Sequence, residues 1–315
     1  MEADEYAGNF DPYRPDVIVL TSAEWDHPDV FADREAVLAA FEAWIRRAAE
    51  GRGAAEGKPV LVANVGDAGV AELVARLGDW PGRMVRTAVD PEPGAADLAL
   101  YITAADPDGT SLQVAHDGLV LSARIPTAGR HNASNAAGVV GACLAAGHGL
   151  APILAALSTF PGVGRRLECK GEAAGVIVYD DYGHHPTAIR ETLAAVRQRA
   201  PGRRVWAVYE PLTFHRTAAL LDAFADVLAS ADAVAIADIW AGRDPDTTIT
   251  SAGALADAVA RRNPAIAAAA PGSVEATAAW LAGEVRAGDA VLVMGGGKSY
   301  RIGELLLEHL RRPLP

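Results

Sequence analysis

The chain is short of cysteine, of cationic charge and of long apolar runs, and each shortage removes a class of protein. Its 315 residues include two cysteines, Cys143 and Cys169. They have no metal-ligand spacing, so neither a disulfide scaffold nor a zinc site is read from them, and both are expected to be structural. Lys and Arg number 28 against 40 Asp and Glu, a net charge of −12. That balance argues against a general nucleic-acid surface, because phosphate backbones are bound by clustered cations. The short pairs Arg165-Arg166 and Arg203-Arg204 suit a small anion or simple solvation. No stretch approaches the apolar length of a membrane span, and Met1-Glu2-Ala3-Asp4-Glu5 has neither the basic start nor the apolar core of a secretory signal. A cytoplasmic protein with no membrane partner is expected. No Gly-x-Gly-x-x-Gly follows an early strand, which makes a nucleotide-dependent oxidoreductase a poor reading.

What is present is a 50% apolar chain, long enough for about two domains. Strands are expected at 17–20 and 59–63, alternating with helices at 34–49 and 70–77. Between about Asp97 and Ile125, short alternating runs separated by Asp-Pro-Asp-Gly and His-Asp-Gly read as an antiparallel meander. Helices at 131–146 and 151–159 follow. Phe160-Pro161-Gly162-Val163-Gly164 breaks the pattern and is the best boundary. Beyond it, strands near 175–179, 204–209, 233–238 and 289–294 alternate with helices near 187–199, 216–229, 251–261, 274–286 and 300–311, a second doubly wound domain. Ala265 to Ala270 is a compositional run too short to interpret.

The densest group of chemistry-bearing side chains is Asp180-Asp181-Tyr182-Gly183-His184-His185, between the run Val176-Ile177-Val178 and Pro186. It reads as strand, loop and helix, with Pro at the first helical turn. Ligands bind in open α/β sheets beyond the carboxyl ends of strands, so this loop is the first candidate site. Taken singly, the aspartates would close a turn and the histidines would cap a helix. Five such residues in six positions, in a chain with eight histidines, favour a site.

Three further clusters stand out. Glu2-Ala3-Asp4-Glu5 precedes the first strand and Ala23-Glu24-Trp25-Asp26-His27 follows it; together they could hold a divalent ion, Mg²⁺ being favoured by oxygen ligands, although acidic termini are commonly only solvated. In Gly129-Arg130-His131-Asn132-Ala133-Ser134-Asn135, Asn132 is read as a helix cap, while the Asn135 amide offers the donor and acceptor that a purine edge requires. Gly164-Arg165-Arg166 lies at the expected hinge, where a guanidinium could clamp phosphate. Gly295-Gly296-Gly297-Lys298-Ser299 is half a phosphate loop, but the Gly required before it is Leu292. It is read as a tight strand-to-helix turn whose N–H groups could hold an anion.

In this order and spacing, Glu-Ala-Asp-Glu, Ala-Glu-Trp-Asp-His, Gly-Arg-His-Asn-x-x-Asn-Ala, Gly-Val-Gly-Arg-Arg and Asp-Asp-Tyr-Gly-His-His-Pro-Thr resemble the Mur ligase family. Pro211 to Thr217 and Asp238 to Arg243 extend the resemblance over nearly the whole chain. It implies an α/β fold: a truncated central ATP-binding domain over 1–163, then a doubly wound, Rossmann-like C-terminal domain over 164–315 for the amino acid. It also implies ATP-driven amide synthesis, in which a carboxylate is phosphorylated and the acyl phosphate is attacked by an amine. Within the family the motifs are closest to members that join L-alanine to UDP-N-acetylmuramate for peptidoglycan, with ATP and Mg²⁺ as cofactors. By that resemblance Glu2 and His27 match Mg²⁺ ligands, and His131 and Asn135 match positions at the adenine. Arg166 matches the phosphate-side arginine and Asp181 the ribose-binding aspartate. Tyr182, His184 and Arg216 match positions around the incoming amino acid, whose carboxylate suits a cation.

Two departures bear on activity. The family's Gly-rich phosphate loop ending in Gly-Lys-Thr should lie upstream of Glu2, after a domain for the UDP moiety; neither is in the chain. Little or no ligase activity is therefore expected of the chain alone, unless a separate chain supplies these parts; a non-catalytic binding subunit is the alternative. In addition, Glu210-Pro211-Leu212-Thr213 stands where alanine-adding members begin Gln-Pro-His. Members that re-attach a recycled tripeptide also carry the Asp-Asp-aromatic-x-His-His-Pro-Thr loop, so they remain an alternative, although Gly129-Arg130-His131 and Arg216-Thr217 favour alanine.

Overall fold

The computed structural model describes residues 2–50, 57–242 and 244–311, so Arg243 of the motif at 238–243 lies outside the described residues. The chain divides into two compact units, Met1–Pro161 and Gly162–Pro315.

The first unit runs β1 (Val17–Leu20), α1 (Arg34–Ala49), β2 (Val60–Asn64), α2 (Ala68–Arg76), β3 (Arg83–Val89), β4 (Leu98–Asp106), β5 (Gly109–His116), β6 (Leu119–Ile125), α3 (Arg130–Ala145) and α4 (Leu150–Leu157). Its sheet has the order β1-β2-β3-β4-β5-β6. The first four strands are parallel, and β5 and β6 add the expected antiparallel meander. Each early helix begins on an aspartate whose carboxylate accepts an otherwise orphaned N–H: Asp33 from Ala36 and Asp67 from Val70, both at 2.9 Å. Asp67 also accepts from Ala23 N at 3.1 Å, which pins the loop after β1. One face of the sheet buries Ile18, Leu61, Leu38 and Leu73, and the other buries Val62, Leu100 and Val140 of α3. Helix α3 comes close because Gly141 has no side chain; a Cβ there would stand 2.5 Å from Val62 Cγ1. Strand β3 was not expected. Arg83 and Arg86 interrupt its apolar pattern, and Arg86 is tied to Asp97 through its backbone N–H (2.9 Å) and guanidinium (2.8 Å).

The second unit runs β7 (Glu168–Ala173), β8 (Val176–Asp181), α5 (Pro186–Arg199), β9 (Arg204–Tyr209), α6 (Phe214–Ala219), α7 (Leu221–Leu228), β10 (Ala233–Ala237), α8 (Ala252–Arg262), β11 (Ala267–Gly272), α9 (Val274–Glu284), β12 (Asp289–Met294) and α10 (Tyr300–Arg311). The sheet order is β11-β10-β9-β12-β8-β7, all parallel except β7. Strands β10 and β12 are buried along their whole length, as expected of parallel strands covered on both faces. Helices α5, α7 and α8 cover one face and α9 and α10 the other. The helix expected at 216–229 is two, jointed at Leu220 (φ −108°, ψ 18°). The alanine run left uninterpreted supplies edge strand β11. Because the helix after β12 leaves to the face opposite those after β8 and β9, a crevice opens beyond the carboxyl ends of these three neighbours. Among the described residues no helix is long and apolar enough to cross a membrane.

Candidate active site

At that crevice β8 ends in Asp180 and Asp181, both buried. Asp180 meets Arg165, whose Nε donates to Oδ2 at 3.1 Å. The same guanidinium donates from Nη2 to the Gly295 carbonyl (2.8 Å) and to Ser299 Oγ (3.0 Å), and it lies over the rings of Tyr182 (5.0 Å) and Tyr300 (5.1 Å). One arginine thus joins the ends of β8 and β12. Its own backbone is left-handed (φ 57°), as is that of Leu167 (φ 50°). Burial pushes the Asp180 carboxyl above the ordinary carboxylate range, and Arg165 only partly offsets this. Glu210, the first residue past β9, is 4% exposed. Its carboxyl is likewise pushed up by burial, against the backbone N–H groups of Ser299 and Lys298 and the charges of Arg165 and Lys298. Asp180 Oδ1 and Glu210 Oε2 are buried without a hydrogen-bond partner.

Asp181 is held differently: Oδ2 accepts from Leu167 N (2.8 Å) and Oδ1 from Gly183 N (2.7 Å). It therefore stitches the 165–167 segment to the loop after β8. Tyr182 is exposed, with Arg166 5.5 Å from its ring centre and the His184 ring edge-on at 5.4 Å. The two adjacent histidines carry opposite tautomers when neutral. His184 Nδ1 is 3.0 Å from the Tyr182 carbonyl, which can only accept, so that nitrogen bears the proton. His185 Nδ1 accepts from Thr187 N at 3.4 Å as the cap of α5, the structural role that paired histidines at a helix start allow. Tyr209 Oη donates to the His184 carbonyl at 3.3 Å, tying the loop to β9. Arg216 is buried on α6, beyond the end of β9; Thr213 Oγ1 caps that helix and Asp244 accepts from His215 N at 3.1 Å. The structure thus brings Arg166, Tyr182 and His184 together, with Asp181 fixing their loop, and reaches Arg216 from a different strand end.

In the first unit, His131 and Asn135 lie one turn apart on α3, His131 half-buried and Asn135 exposed. Asn132 is not the cap: Gly129 (φ 91°) occupies that position, and the Asn132 amide donates back to the Ala128 carbonyl at 2.7 Å. His27 does not meet Glu2, which is exposed. Its carboxylate neighbours are Glu5 (3.9 Å) and Asp26 (3.8 Å), and Tyr6 packs on its ring at 4.7 Å. Among the described residues no set of three or more His, Cys, Asp or Glu forms a metal cage.

Sequence reasoning missed Arg165 and Glu210. The first was hidden by its neighbour Arg166; the second was legible as a carboxylate directly after five buried strand residues. On the turn at 295–299, where an anion was expected, the backbone N–H groups of Lys298 and Ser299 face the chain's own Glu210 carboxyl. A separate depression of about 580 Å³, lined by Arg197, Arg203, Arg204 and Asp232 among others, lies at the opposite, amino-terminal edge of the sheet. Its arginines are paired with Asp232, Glu172 and Asp289.

Comparison with known proteins is consistent across the chain. The family model of the Mur ligase middle domain matches residues 1–143, and that of the Mur ligase glutamate ligase domain matches residues 165–297. A UDP-N-acetylmuramate--L-alanine ligase of Roseiflexus sp. (strain RS-1) is 36% identical over 330 residues, covering 99% of this chain and 67% of that protein. Across several such curated relatives, the chain spans 62% to 67% of their length. Among solved structures, UDP-N-acetylmuramate-alanine ligase from Thermotoga maritima superposes with a TM-score of 0.70 at 21% identity, over 97% of this chain and 61% of that one. A murein peptide ligase from Psychrobacter arcticus does so with a TM-score of 0.66 at 24% identity, over 98% and 60%. At these identities the structures speak for the fold alone.

Proposed function

The chain belongs to the Mur ligase family, and from that premise we propose that it serves ATP-dependent amide synthesis, joining L-alanine to UDP-N-acetylmuramate through an acyl phosphate. The observation that carries this reading is the loop Asp181–His184 at the crevice of the second unit, its aromatic ring under two guanidinium groups and its imidazole in a fixed tautomer. We assign residues 164–315 to the amino substrate, with Arg216 receiving its carboxylate and Tyr182 and His184 beside its amine. His184 Nδ1 holds its proton on a backbone carbonyl, so the Nε2 edge is the one suited to accept a proton as the amine attacks. Arg166 and Asp181 are assigned to phosphate and ribose. The Asp181 contact is made by a carboxylate whose orientation two backbone N–H groups already set. Residues 1–163 are assigned to ATP, with His131 and Asn135 at the adenine. Mg²⁺, when bound beside His27, supplies positive charge to the transferring phosphoryl group. Of the two residues assigned to it, His27 has Glu5 and Asp26 as its carboxylate neighbours, and Glu2 lies exposed and apart.

No Gly-Lys-Thr phosphate loop lies within these 315 residues. The electrostatic cradle for phosphoryl transfer is therefore to be supplied from outside them. The test is phosphate release from ATP with Mg²⁺ and UDP-N-acetylmuramate, with L-alanine present or absent. Residues 1–315 alone should turn over far below an ordinary rate of about 1 s⁻¹ or more, and addition of a protein carrying the phosphate loop should raise the rate in an L-alanine-dependent way. Ordinary turnover by residues 1–315 alone would refute the dependence. Preference for a tripeptide over L-alanine would move the assignment to the recycling ligases, the second reading, which the departure of Glu210-Pro211-Leu212 from Gln-Pro-His leaves open.

A further inference from the structure

Three consecutive glycines follow β12, and each is required by something that presses against it. A Cβ on Gly295 (φ 141°) would stand 2.6 Å from the Glu210 carbonyl, one on Gly297 2.7 Å from Glu210 Oε2, and one on Gly296 2.5 Å from Leu212 Cδ1 and 3.3 Å from Tyr182 Cζ. Glu210 is itself anchored, its N–H donating to the Met294 carbonyl at 2.9 Å. Its carboxyl faces the N–H groups of Lys298 and Ser299, with Oε2 buried and without a hydrogen-bond partner. Successive N–H groups on a Gly-rich strand-to-helix turn form an anion-binding concavity, and here the occupant is a side chain of the same unit. From the other side Arg165 grips Gly295 O and Ser299 Oγ while covering the Tyr182 ring.

We propose that Glu210 is a positioning residue: its buried carboxyl is the built-in group against which the turn 295–299 folds, and the folded turn, through Gly296, sets the place of the Tyr182 ring. The groups facing that carboxyl are Lys298 on the turn and Arg165 on the segment before β7, the latter shared with Asp180 of β8. Burial outweighs both cations and raises the carboxyl's titration range. A group whose folded range is raised contributes its stabilisation below the ordinary carboxylate range and loses it as pH rises through the raised one. The turn is accordingly held best when Glu210 is neutral and loosens as it ionises. The consequence for the amino substrate rests on the reading of Tyr182 given above; the turn itself does not.

Hydrogen–deuterium exchange of the peptide spanning 294–301, normalised to intrinsic rates from about pH 5 to about pH 9, tests this in the wild type, Glu210→Gln and Glu210→Ala. Glu210→Ala should speed exchange at Lys298 and Ser299 about tenfold across the range, because the carboxyl that these N–H groups face is gone and the turn loses its support. Glu210→Gln keeps a neutral acceptor, so it should show wild-type protection at low pH and no loss as pH rises. Undiminished protection in Glu210→Ala, or a wild-type pH slope in Glu210→Gln, would overturn the proposal. If Glu210→Ala does not fold, the pH slope in Glu210→Gln decides. In protein with ¹³C-labelled tyrosine, the Tyr182 ring signal should move with the same midpoint as the turn; a static signal would overturn the link to Tyr182. None of these readouts needs turnover, so a ligase assay that fails in the same preparation counts against the functional reading alone.

Discussion

Replacing Arg165 by Met keeps most of the aliphatic stem and removes the guanidinium that joins two strand ends. The loss comprises a bond to a carboxylate that is 1% exposed, bonds to Gly295 O and Ser299 Oγ, and two ring contacts. Breaking a buried ion pair from one side costs about 3–5 kcal/mol. Arg165 is 27% exposed, so its charge is partly solvated and about 2–3 kcal/mol is the better figure. Most of that is the penalty of stranding Asp180, whose Oδ1 already lacks a partner. Adding Asp180→Asn should therefore restore about half of the loss, since it removes the stranded charge. Burial holds the Asp180 carboxyl high, so its stabilisation is present at low pH and is lost as pH rises through its native range; Arg165 limits that loss. The deficit of Arg165→Met should thus be largest at neutral pH and shrink on acidification. With 5-fluorotryptophan, urea unfolding can be followed at Trp206 and Trp280 for the second unit and at Trp44 for the first. A change under about 0.5 kcal/mol at Trp206, or no recovery in the double variant, would refute the reasoning.

Other outcomes follow from single contacts. Gly69→Ala would bring a Cβ to 2.0 Å from the Ala23 carbonyl oxygen, backbone that cannot rotate away, and should cost the first unit about 1–3 kcal/mol, read as a lower urea midpoint at Trp44. Asp181→Ala strands the N–H groups of Leu167 and Gly183 and should destabilise the second unit by about 1–3 kcal/mol for each that stays buried, with faster amide exchange confined to 165–168 and 182–184. His185→Ala removes the Nδ1 cap on Thr187 N and should cost about 0.5–1 kcal/mol for that bond in thermal unfolding.

The parts of the fold that could be read in the sequence are those where burial on both faces leaves a continuous apolar run. Strands β9 and β12 and helices α1 and α10 fall where periodicity puts them. Three strands escaped for distinct reasons. Strand β3 carries Arg83 and Arg86 among its apolar residues, β7 is a polar antiparallel edge (Glu168, Lys170, Glu172), and β11 is alanine with a Pro, a composition tolerated at an edge but with little strand preference of its own. At the site, the polar density of 180–185 was visible in one dimension. Which residue of a pair faces inward was not: Arg165 and Arg166 differ only in backbone direction, set by a left-handed φ at Arg165 that nothing in the local sequence demands. The contact between Glu210 and the turn at 295–299 joins residues far apart in sequence and depends on β12 lying beside β9.

That placement of β12 has a consequence for how the second unit comes into being. Its last-synthesised strand is inserted between β9 and β8 and bonds to both. Until residue 294 has left the ribosome, the sheet is two pieces with facing unpaired edges and an uncovered apolar seam. Every earlier strand must wait for it, so folding of this unit is committed late and through contacts of long sequence separation. A nascent or prematurely ended chain would therefore present the open edges that chaperones and self-association compete for.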